Sequence, residues 1–253
     1  MSTMNSVAEY GEFDEKFQET YELFKRNIES DEEVGASFAV YKDGKPIIDL
    51  YGGFQDRDKK ISWNKDTLVN VHSTSKGIVA MVVAKLIDNG DLELDKRVCD
   101  YWPEFSENGK NDIKVKTLLS HQAGLYGWRD PLDETDFYKW DYVCELLAKQ
   151  KPFHEPNKEI CYHPKTIGFL VGELIKRITK KSVGKNLYEL LSEPLKAKCF
   201  IGTPETYHNN IAELISSESL RKAFSNPENI DNYLVTAFLN PANRTKTANT
   251  SEW

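Results

Sequence analysis

Ser73 and Lys76 are the residues of this chain whose types and spacing best suit chemistry. They lie three residues apart, about one helical turn, at the start of an apolar run, so both side chains can share one face. A serine hydroxyl is a weak nucleophile that needs a neighbouring base, and a lysine can serve when its surroundings keep it neutral. The free N–H groups at a helix N-terminus also stabilise an oxyanion. The pair therefore favours acyl transfer at Ser73, with an ordinary helix cap as the alternative.

The S-x-x-K pattern occurs four times, so the candidates must be distinguished by the sequence around each pair. The pairs are Ser62/Lys65, Ser73/Lys76, Ser182/Lys185 and Ser219/Lys222. Ser62 lies in a polar loop, Ser182 is predicted to cap a helix, and Ser219 lies on a polar helix surface. Ser73 begins a helix of nearly all-apolar composition, which is typical of a helix buried on every side. Ser73 is therefore the candidate nucleophile.

The elements around this pair follow the order of one helix, two strands and then further helices. Apolar spacing predicts an amphipathic helix over 12–29. Two strands, 36–41 and 46–51, flank an Asp43-Gly44 turn and predict a hairpin with an open sheet edge. A short strand is predicted over 67–71. Further helices are predicted from Ser75 to Asn89-Gly90 and over 115–120, 138–149, 166–179 and 183–192, with a candidate helix at 211–224 and a polar tail over 240–253.

Several further motifs follow the S-x-x-K pair along the chain. They cover residues 71–77 (VHSTSKG), 94–105, 118–125 (LLSHQAGL), 162–164 (YHP) with 168–173, and 201–205 (IGTPE). In this order the motifs resemble the serine β-lactamase-like family, which includes class C β-lactamases, penicillin-binding proteins and related esterases. The resemblance extends over about residues 13–206 and is greatest to the esterase-like branch.

The resemblance implies catalytic roles for three residues. Ser73 would be the acylated nucleophile and Lys76 its proton acceptor. Tyr162 would be the tyrosine of the second motif, which passes a proton to the leaving group and helps to activate water. A phenol near a lysine ammonium has a lowered pKa, which suits such a relay. The alternative for Tyr162 is a partly buried tyrosine bonded to a loop carbonyl.

The resemblance also implies an α+β fold of the serine β-lactamase-like type, with a mixed α/β lobe plus a helical lobe and with the C-terminal sheet strands missing. We expect residues 1–68 to form the helix and hairpin of the α/β lobe, 69–206 the helical lobe with both motifs, and 207–253 a weakly structured tail. The family's third motif, Lys-Thr-Gly or His-x-Gly, is not matched, since Lys246-Thr247-Ala248 has alanine in place of glycine.

Two functions follow from these expectations. The first is a serine hydrolase that acts on an ester or amide through an acyl-serine intermediate. The second is a catalytically inactive, truncated family member with a binding or regulatory role, since loss of an oxyanion donor alone costs about 10²–10³ in rate. The expected partner is a small-molecule ester or amide substrate, together with self-association through the open sheet edge.

Composition argues against several other classes of function. A net charge of -7 and a pI near 5.4 argue against a nucleic-acid-binding surface. No stretch approaches the roughly 18 apolar residues of a membrane span. The polar N-terminus lacks a secretory signal pattern, and the four cysteines form no CxxC pair, so we expect a cytoplasmic protein with reduced thiols.

We expect the histidines and tryptophans named below to have structural and not catalytic roles. His121 is expected to be a structural hydrogen-bonding residue, and His72 and His163 are expected to shape the pocket. Cys161 and His163 do not have zinc-ligand spacing, so no metal or other cofactor is expected. The remaining candidates for the core or a pocket wall are Trp102, Trp128 and Trp140.

Overall fold

A computed structural model describes residues 6–215, 232–241 and 249–250, which divide into two units. Of these residues, the first unit contains 6–70, 204–215 and 249–250, and the second contains 71–203 and 232–241. The three segments predicted from the sequence, 1–68, 69–206 and 207–253, stay a prediction, since much of the last one lies outside the described residues.

The first unit contains, among its described residues, a four-stranded antiparallel sheet in the order β1-β2-β4-β3. Its strands are β1 (Ser6–Ala8), β2 (Gly11–Phe13), β3 (Gly35–Lys42) and β4 (Lys45–Gly53). The predicted hairpin is β3-β4, and Asp43 and Gly44 in its turn both have positive φ, as a tight two-residue turn requires. Among the described residues β3 is the last strand in this order, and self-association at its outer edge stays a prediction.

The helix predicted over 12–29 starts later than expected. Gly11–Phe13 pairs with β4 instead, and Gln18–Glu29 forms helix α1 after a 3-10 turn at Glu15–Phe17. The apolar spacing is used by both elements, since Phe13 on β2 stacks on Tyr21 of α1 with ring centroids 4.7 Å apart. Together with residues of β4 they close a small core of Phe13, Tyr21, Ile48 and Leu50.

Two predictions at the end of this unit are wrong. The strand expected over 67–71 is reduced to one bridge, between Leu68 and Ile211. The described part of the candidate helix 211–224 is not helical, because the backbone of Leu68 and Gln55 holds residues 211–213 in an extended conformation. Residues 216–224 lie outside the described residues.

The second unit is helical in its described residues. The helices are α2 (Ser75–Asp88), α3 (Val115–Leu119), α4 (Trp140–Lys149), α5 (Thr166–Thr179), α6 (Val183–Leu187), α7 (Glu193–Leu195) and α8 (Asn232–Phe238). The predicted helix 183–192 is α6 continued by a π-helical turn at Tyr188–Ser192. α8 is not predicted from the sequence, although five of its seven residues (NYLVTAF) are apolar. No helix in the described ranges has the length and hydropathy needed to cross a bilayer.

The core of the second unit forms where α2, α4 and α5 meet the loops that follow α2. Trp102 and Trp128 are buried in it, as the sequence predicts, and Phe105, Leu118 and Leu170 are completely buried. Trp140 is partly buried and donates from its indole N–H to Glu173 Oε2 at 2.7 Å. The loop that carries Tyr162 ends where α5 begins, so this core also fixes the position of that loop.

Helix α2 is buried on one face, and the expectation of burial on every side is wrong. Val82, Val83 and Leu86 are buried, whereas 48% of Met81 is exposed. Gly77, Ala80 and Ala84 also lie on the exposed side at spacings of three and four residues. The composition of the helix is apolar all round, but its large buried side chains occupy one face.

Candidate active site

Ser73 lies in a 3-10 turn, His72–Thr74, that runs directly into α2. Its side chain is exposed, and the preceding His72 has a φ of 44°, in the left-handed region that non-glycine residues rarely adopt. Because α2 proper starts at Ser75, Ser73 is held ahead of the helix while Lys76 lies in its first turn. The turn thus presents the hydroxyl at the exposed end of a packed helix.

The structure brings the three predicted residues together. Lys76 Nζ donates to Ser73 Oγ at 3.1 Å and to the carbonyl oxygen of Pro164 at 2.9 Å. The phenol of Tyr162, which is 89 residues away in sequence, donates to Ser73 Oγ at 2.7 Å. The Lys76 ammonium also lies 5.0 Å from the centroid of the Tyr162 ring. Ser73 therefore has two proton-carrying groups within hydrogen-bond distance.

A second S-x-x-K pair shows what the helix-cap alternative looks like. Ser182 Oγ accepts from the backbone N–H of Lys185 at 3.2 Å, as an N-cap does. Ser73 Oγ instead contacts two side chains, from Lys76 and Tyr162. The spacing is the same in both pairs, so the difference arises from the loop of Tyr162 that packs beside Ser73.

Electrostatics at Tyr162 favour its ionised form. Burial raises the pKa of its phenol, but the hydrogen bonds with Ser73 and Lys76 and the positive charge of Lys76 outweigh this effect. The pKa of Tyr162 is therefore below its ordinary value of 10. A phenol with a lowered pKa exchanges its proton more readily near neutral pH.

His163 follows Tyr162 and is completely buried, so any part it has in shaping a pocket is indirect. Its Nε2 accepts from the backbone N–H of Leu125 at 3.0 Å, which leaves Nδ1 to donate to the carbonyl oxygen of Cys161 at 2.5 Å. Burial lowers the pKa of this imidazole to about 4. The uncharged His163 ring therefore connects the 121–125 segment to the loop of Tyr162 through hydrogen bonds.

Helix α8 also packs on the loop of Tyr162. Tyr233 donates from its hydroxyl to the carbonyl oxygen of Tyr162 at 2.7 Å, and the Phe238 ring lies 6.4 Å from the Tyr162 ring. Lys165 Nζ donates to the carbonyl oxygens of Phe238, at 2.7 Å, and of Pro241. Burial lowers the pKa of Lys165 to about 8. Sequence reasoning missed these residues, although Tyr233 and Ala237 have the spacing of a helix face.

The packing of α8 is tight at Gly127. A Cβ atom at this position would lie 2.5 Å from the carbonyl oxygen of Thr236, which is closer than real contacts allow. Asn240, just after α8, donates to the carbonyl oxygens of Trp128 and Asp130 at 3.0 and 2.8 Å. The 127–132 segment and α8 thus form one supporting layer behind Tyr162.

Two features of the sequence remain without a structural account. Lys246-Thr247-Ala248 and the Ser219/Lys222 pair lie outside the described residues. In the part of the chain that the structure describes, no group of three or more His, Cys, Asp or Glu side chains is arranged to hold a metal ion.

Comparison with known proteins gives one family model and several curated relatives. The model described as Beta-lactamase matches residues 22–220. The chain is 33% identical over 188 residues to the esterase/beta-lactamase LipL of Mycobacterium tuberculosis, which covers 74% of this chain and 43% of that protein. It is 28% identical over 174 residues to Protein flp of Staphylococcus aureus, which covers 65% and 34%. The chain thus spans less than half the length of these curated relatives.

Solved structures match over almost the whole chain. A family VIII carboxylesterase has a TM-score of 0.86 at 34% identity and covers 99% of this chain and 65% of that one. A penicillin-binding protein homologue from Caulobacter crescentus has a TM-score of 0.83 at 34% identity, with coverage of 94% and 62%. These proteins share the mixed α/β architecture of this chain and are about half as long again.

Proposed function

This chain belongs to the Beta-lactamase family and has the serine β-lactamase-like α+β fold expected from its sequence, and on that basis we propose that it is a serine hydrolase. Its substrate is a small molecule with an ester or amide bond, cleaved through an acyl-serine intermediate. The observation that carries the proposal is the contact of Ser73 Oγ with both Lys76 Nζ and Tyr162 Oη.

Acylation begins at Ser73. Its oxygen attacks the carbonyl carbon of the substrate, and the hydroxyl proton moves to Lys76 Nζ, which lies 3.1 Å away and accepts the proton in its unprotonated form. The new C–O bond gives a tetrahedral oxyanion and leaves Lys76 as an ammonium. The carbonyl oxygen of Pro164, already a partner of Lys76 Nζ at 2.9 Å, stabilises that charge.

Tyr162 acts on the leaving group. Its pKa is lowered because it shares hydrogen bonds with Ser73 and Lys76, so it gives up its proton more readily than an isolated phenol. As the bond to the leaving oxygen or nitrogen breaks, Tyr162 donates its proton to that atom and recovers one from the Lys76 ammonium. The pair returns to its starting protonation state when the acyl-enzyme forms.

Deacylation uses the same groups in reverse order. A water molecule attacks the acyl carbon and gives its proton to the oxygen of Tyr162, while the Tyr162 phenol passes its own proton to the Lys76 amine. The bond to Ser73 Oγ then breaks, the serine oxygen takes a proton from Tyr162, and Tyr162 recovers one from the Lys76 ammonium. An ester is the favoured substrate, because relatives at 33 and 34% identity are described as an esterase/beta-lactamase and as a carboxylesterase.

A fluorophosphonate probe tests this proposal. We expect one adduct per chain, mapped by peptide mass spectrometry to Ser73, and hydrolysis of p-nitrophenyl acetate that Ser73→Ala lowers at least about 10³-fold. The control is Ser182→Ala, which removes the serine of the matched S-x-x-K pair and leaves labelling and turnover unchanged. Absence of an adduct on folded protein, or turnover that survives Ser73→Ala, contradicts the proposal.

The second candidate is a catalytically inactive family member with a binding or regulatory role. It is favoured by a specific feature of the sequence, since no Lys-Thr-Gly or His-x-Gly follows Tyr162. The strand that carries this motif is expected to supply a backbone N–H that donates to the oxyanion. Loss of one such donor lowers the rate about 10²- to 10³-fold. Binding of an ester without turnover, measured by calorimetry on the same preparation, supports this candidate over the first.

A further inference from the structure

We propose that His121 is a positioning residue, which holds Tyr162 against Ser73 and does so only while its imidazole is neutral. The proposal rests on the proposed function, because it assigns His121 to the proton transfers of that site. Two observations carry it: His121 bonds to the backbone on both sides of Tyr162, and its ring contacts the ring of Tyr162. The bond to Nδ1 then sets the protonation state of His121.

The backbone on both sides of Tyr162 is bonded to the same residue. The N–H of Cys161 donates to the carbonyl oxygen of His121 at 3.1 Å. The N–H of His163 donates to His121 Nδ1, also at 3.1 Å. A single residue therefore fixes the peptide groups before and after Tyr162.

The ring of His121 also packs against the ring of Tyr162. The two centroids lie 5.0 Å apart with an interplanar angle of 61°, an edge-to-face contact. This contact restricts the Tyr162 ring, whose oxygen lies 2.7 Å from Ser73 Oγ. His121 is itself anchored just beyond α3, where its backbone N–H donates to the carbonyl oxygen of Leu118 at 3.2 Å.

The bond to Nδ1 is compatible with one charge state only. Because Nδ1 accepts from the N–H of His163, the ring proton must lie on Nε2 and the imidazole must be neutral. Protonation would place an N–H at Nδ1 directly opposite the N–H of His163, and the bond would be lost. The clamp on Tyr162 therefore depends on pH.

Burial and one neighbouring positive charge favour the neutral form of His121. Lys76 faces it from α2, and Cys161, Tyr162 and His163 face it from the adjoining loop, the last with a ring centroid 5.3 Å away. Burial and the positive charge of Lys76 lower the pKa of His121 from its ordinary value of 6.5. The clamp is intact near neutral pH and releases in acid.

Two substitutions separate the acceptor from the backbone conformation. His121 has a φ of 62°, which asparagine and glycine tolerate better than other residues. In His121→Asn, the side-chain carbonyl replaces Nδ1 as acceptor for the N–H of His163 and cannot be protonated. In His121→Gly, the backbone conformation is free of strain but the acceptor and the ring are gone.

The test is kcat and KM for p-nitrophenyl acetate between pH 4.5 and 9, with circular dichroism at each pH to confirm folding. We expect His121→Gly to lower kcat about 10- to 100-fold with little change in KM, as displacement of a catalytic group does. We expect His121→Asn to keep kcat within about fivefold of the wild type and to shift the acid limb of the pH profile to lower pH. An acid limb that persists unchanged in His121→Asn overturns the proposal.

A second readout does not depend on activity. Absorbance titration of the phenolate, with Tyr162→Phe used to identify the contribution of Tyr162, gives the pKa of this side chain directly. We expect this pKa to rise towards 10 in His121→Gly, because the phenol moves away from Lys76, and to stay lowered in His121→Asn. Equal values in the wild type and His121→Gly overturn the positioning role, whereas an enzyme with no Ser73-dependent turnover contradicts only the proposed function.

Discussion

The phenol oxygen of Tyr162 lies 2.7 Å from Ser73 Oγ, closer than the Lys76 amine at 3.1 Å. The hydroxyl is therefore held between two groups that come from different parts of the chain. Lys76 is on the same helix segment, whereas Tyr162 arrives on a loop that His121, His163 and α8 hold in place. Substitutions at these positions are expected to affect different steps.

Tyr162→Phe removes the phenol oxygen and keeps the ring that packs on His121. We expect kcat for an ester to fall about 10²- to 10⁴-fold, the usual effect of losing a general acid–base group. Ser73 is expected to remain reactive to a fluorophosphonate, at a reduced rate, because Lys76 is still present. Tyr188→Phe, at an exposed tyrosine far from Ser73 in sequence, is the control. Unchanged kcat in Tyr162→Phe would exclude Tyr162 from the proton relay.

Lys76→Arg keeps a positive charge at this position but cannot accept a proton, since a guanidinium stays protonated at every accessible pH. We expect the rate of Ser73 acylation, measured with a fluorophosphonate under single-turnover conditions, to fall at least about 100-fold. Lys185→Arg changes the lysine of the matched S-x-x-K pair and is expected to have no effect. An acylation rate in Lys76→Arg near that of the wild type would mean that Lys76 contributes charge only.

His163 is expected to make the fold sensitive to acid. Its pKa is about 4 in the folded chain and about 6.5 when unfolded. Above pH 6.5 both states are neutral and the group has no effect. As the pH falls through 6.5 towards 4, the unfolded chain binds the proton first, so the free energy of unfolding decreases, by roughly 3 kcal/mol in total.

Urea unfolding at pH 7.5, 5.5 and 4.5 measures this effect. His163→Gln retains an acceptor for the N–H of Leu125 and does not titrate, so we expect its unfolding free energy to vary less over this range than that of the wild type. Equal variation in the two proteins would assign the acid sensitivity to other groups.

Gly127→Ala is expected to displace α8. The added methyl group would lie 2.5 Å from the backbone oxygen of Thr236, so the helix must move. We expect faster amide hydrogen exchange over 232–238 and a lower kcat, because α8 supports the loop of Tyr162 through Tyr233. The control is Gly168→Ala on α5, where a methyl group meets no atom within 4 Å. Unchanged exchange over 232–238 in Gly127→Ala would contradict this coupling.

The sequence made some of these features visible because they are local. Ser73 and Lys76 lie one helical turn apart, the apolar run of α2 follows them, and Asp43-Gly44 marks the hairpin directly. β2 was not visible in the sequence because Phe13 continues the apolar spacing of α1, and only the pairing of Gly11–Phe13 with β4 makes this segment a strand.

The support of Tyr162 could not be predicted, because it arises from contacts between distant residues. His121 reaches the backbone of residues 161 and 163, and Tyr233 reaches the carbonyl oxygen of Tyr162. The spacing of apolar residues in the sequence does not predict a hydrogen bond from a side chain to the backbone of a distant segment. The LLSHQAGL motif marks His121 as a residue to examine, but its role depends on the loop that folds against it.

The contact of Lys76 with Pro164 means that the Lys76 side chain becomes ordered when the chain folds, before a substrate binds. Its amine is tied to Ser73 Oγ on one side and to the Pro164 carbonyl on the other. A lysine side chain that is fixed in this way loses up to about 2 kcal/mol of rotamer entropy. Because this rotamer entropy is lost during folding, the amine is already ordered when a substrate binds. The entropic cost lowers the stability of the folded unit and is absent from the barrier to acylation.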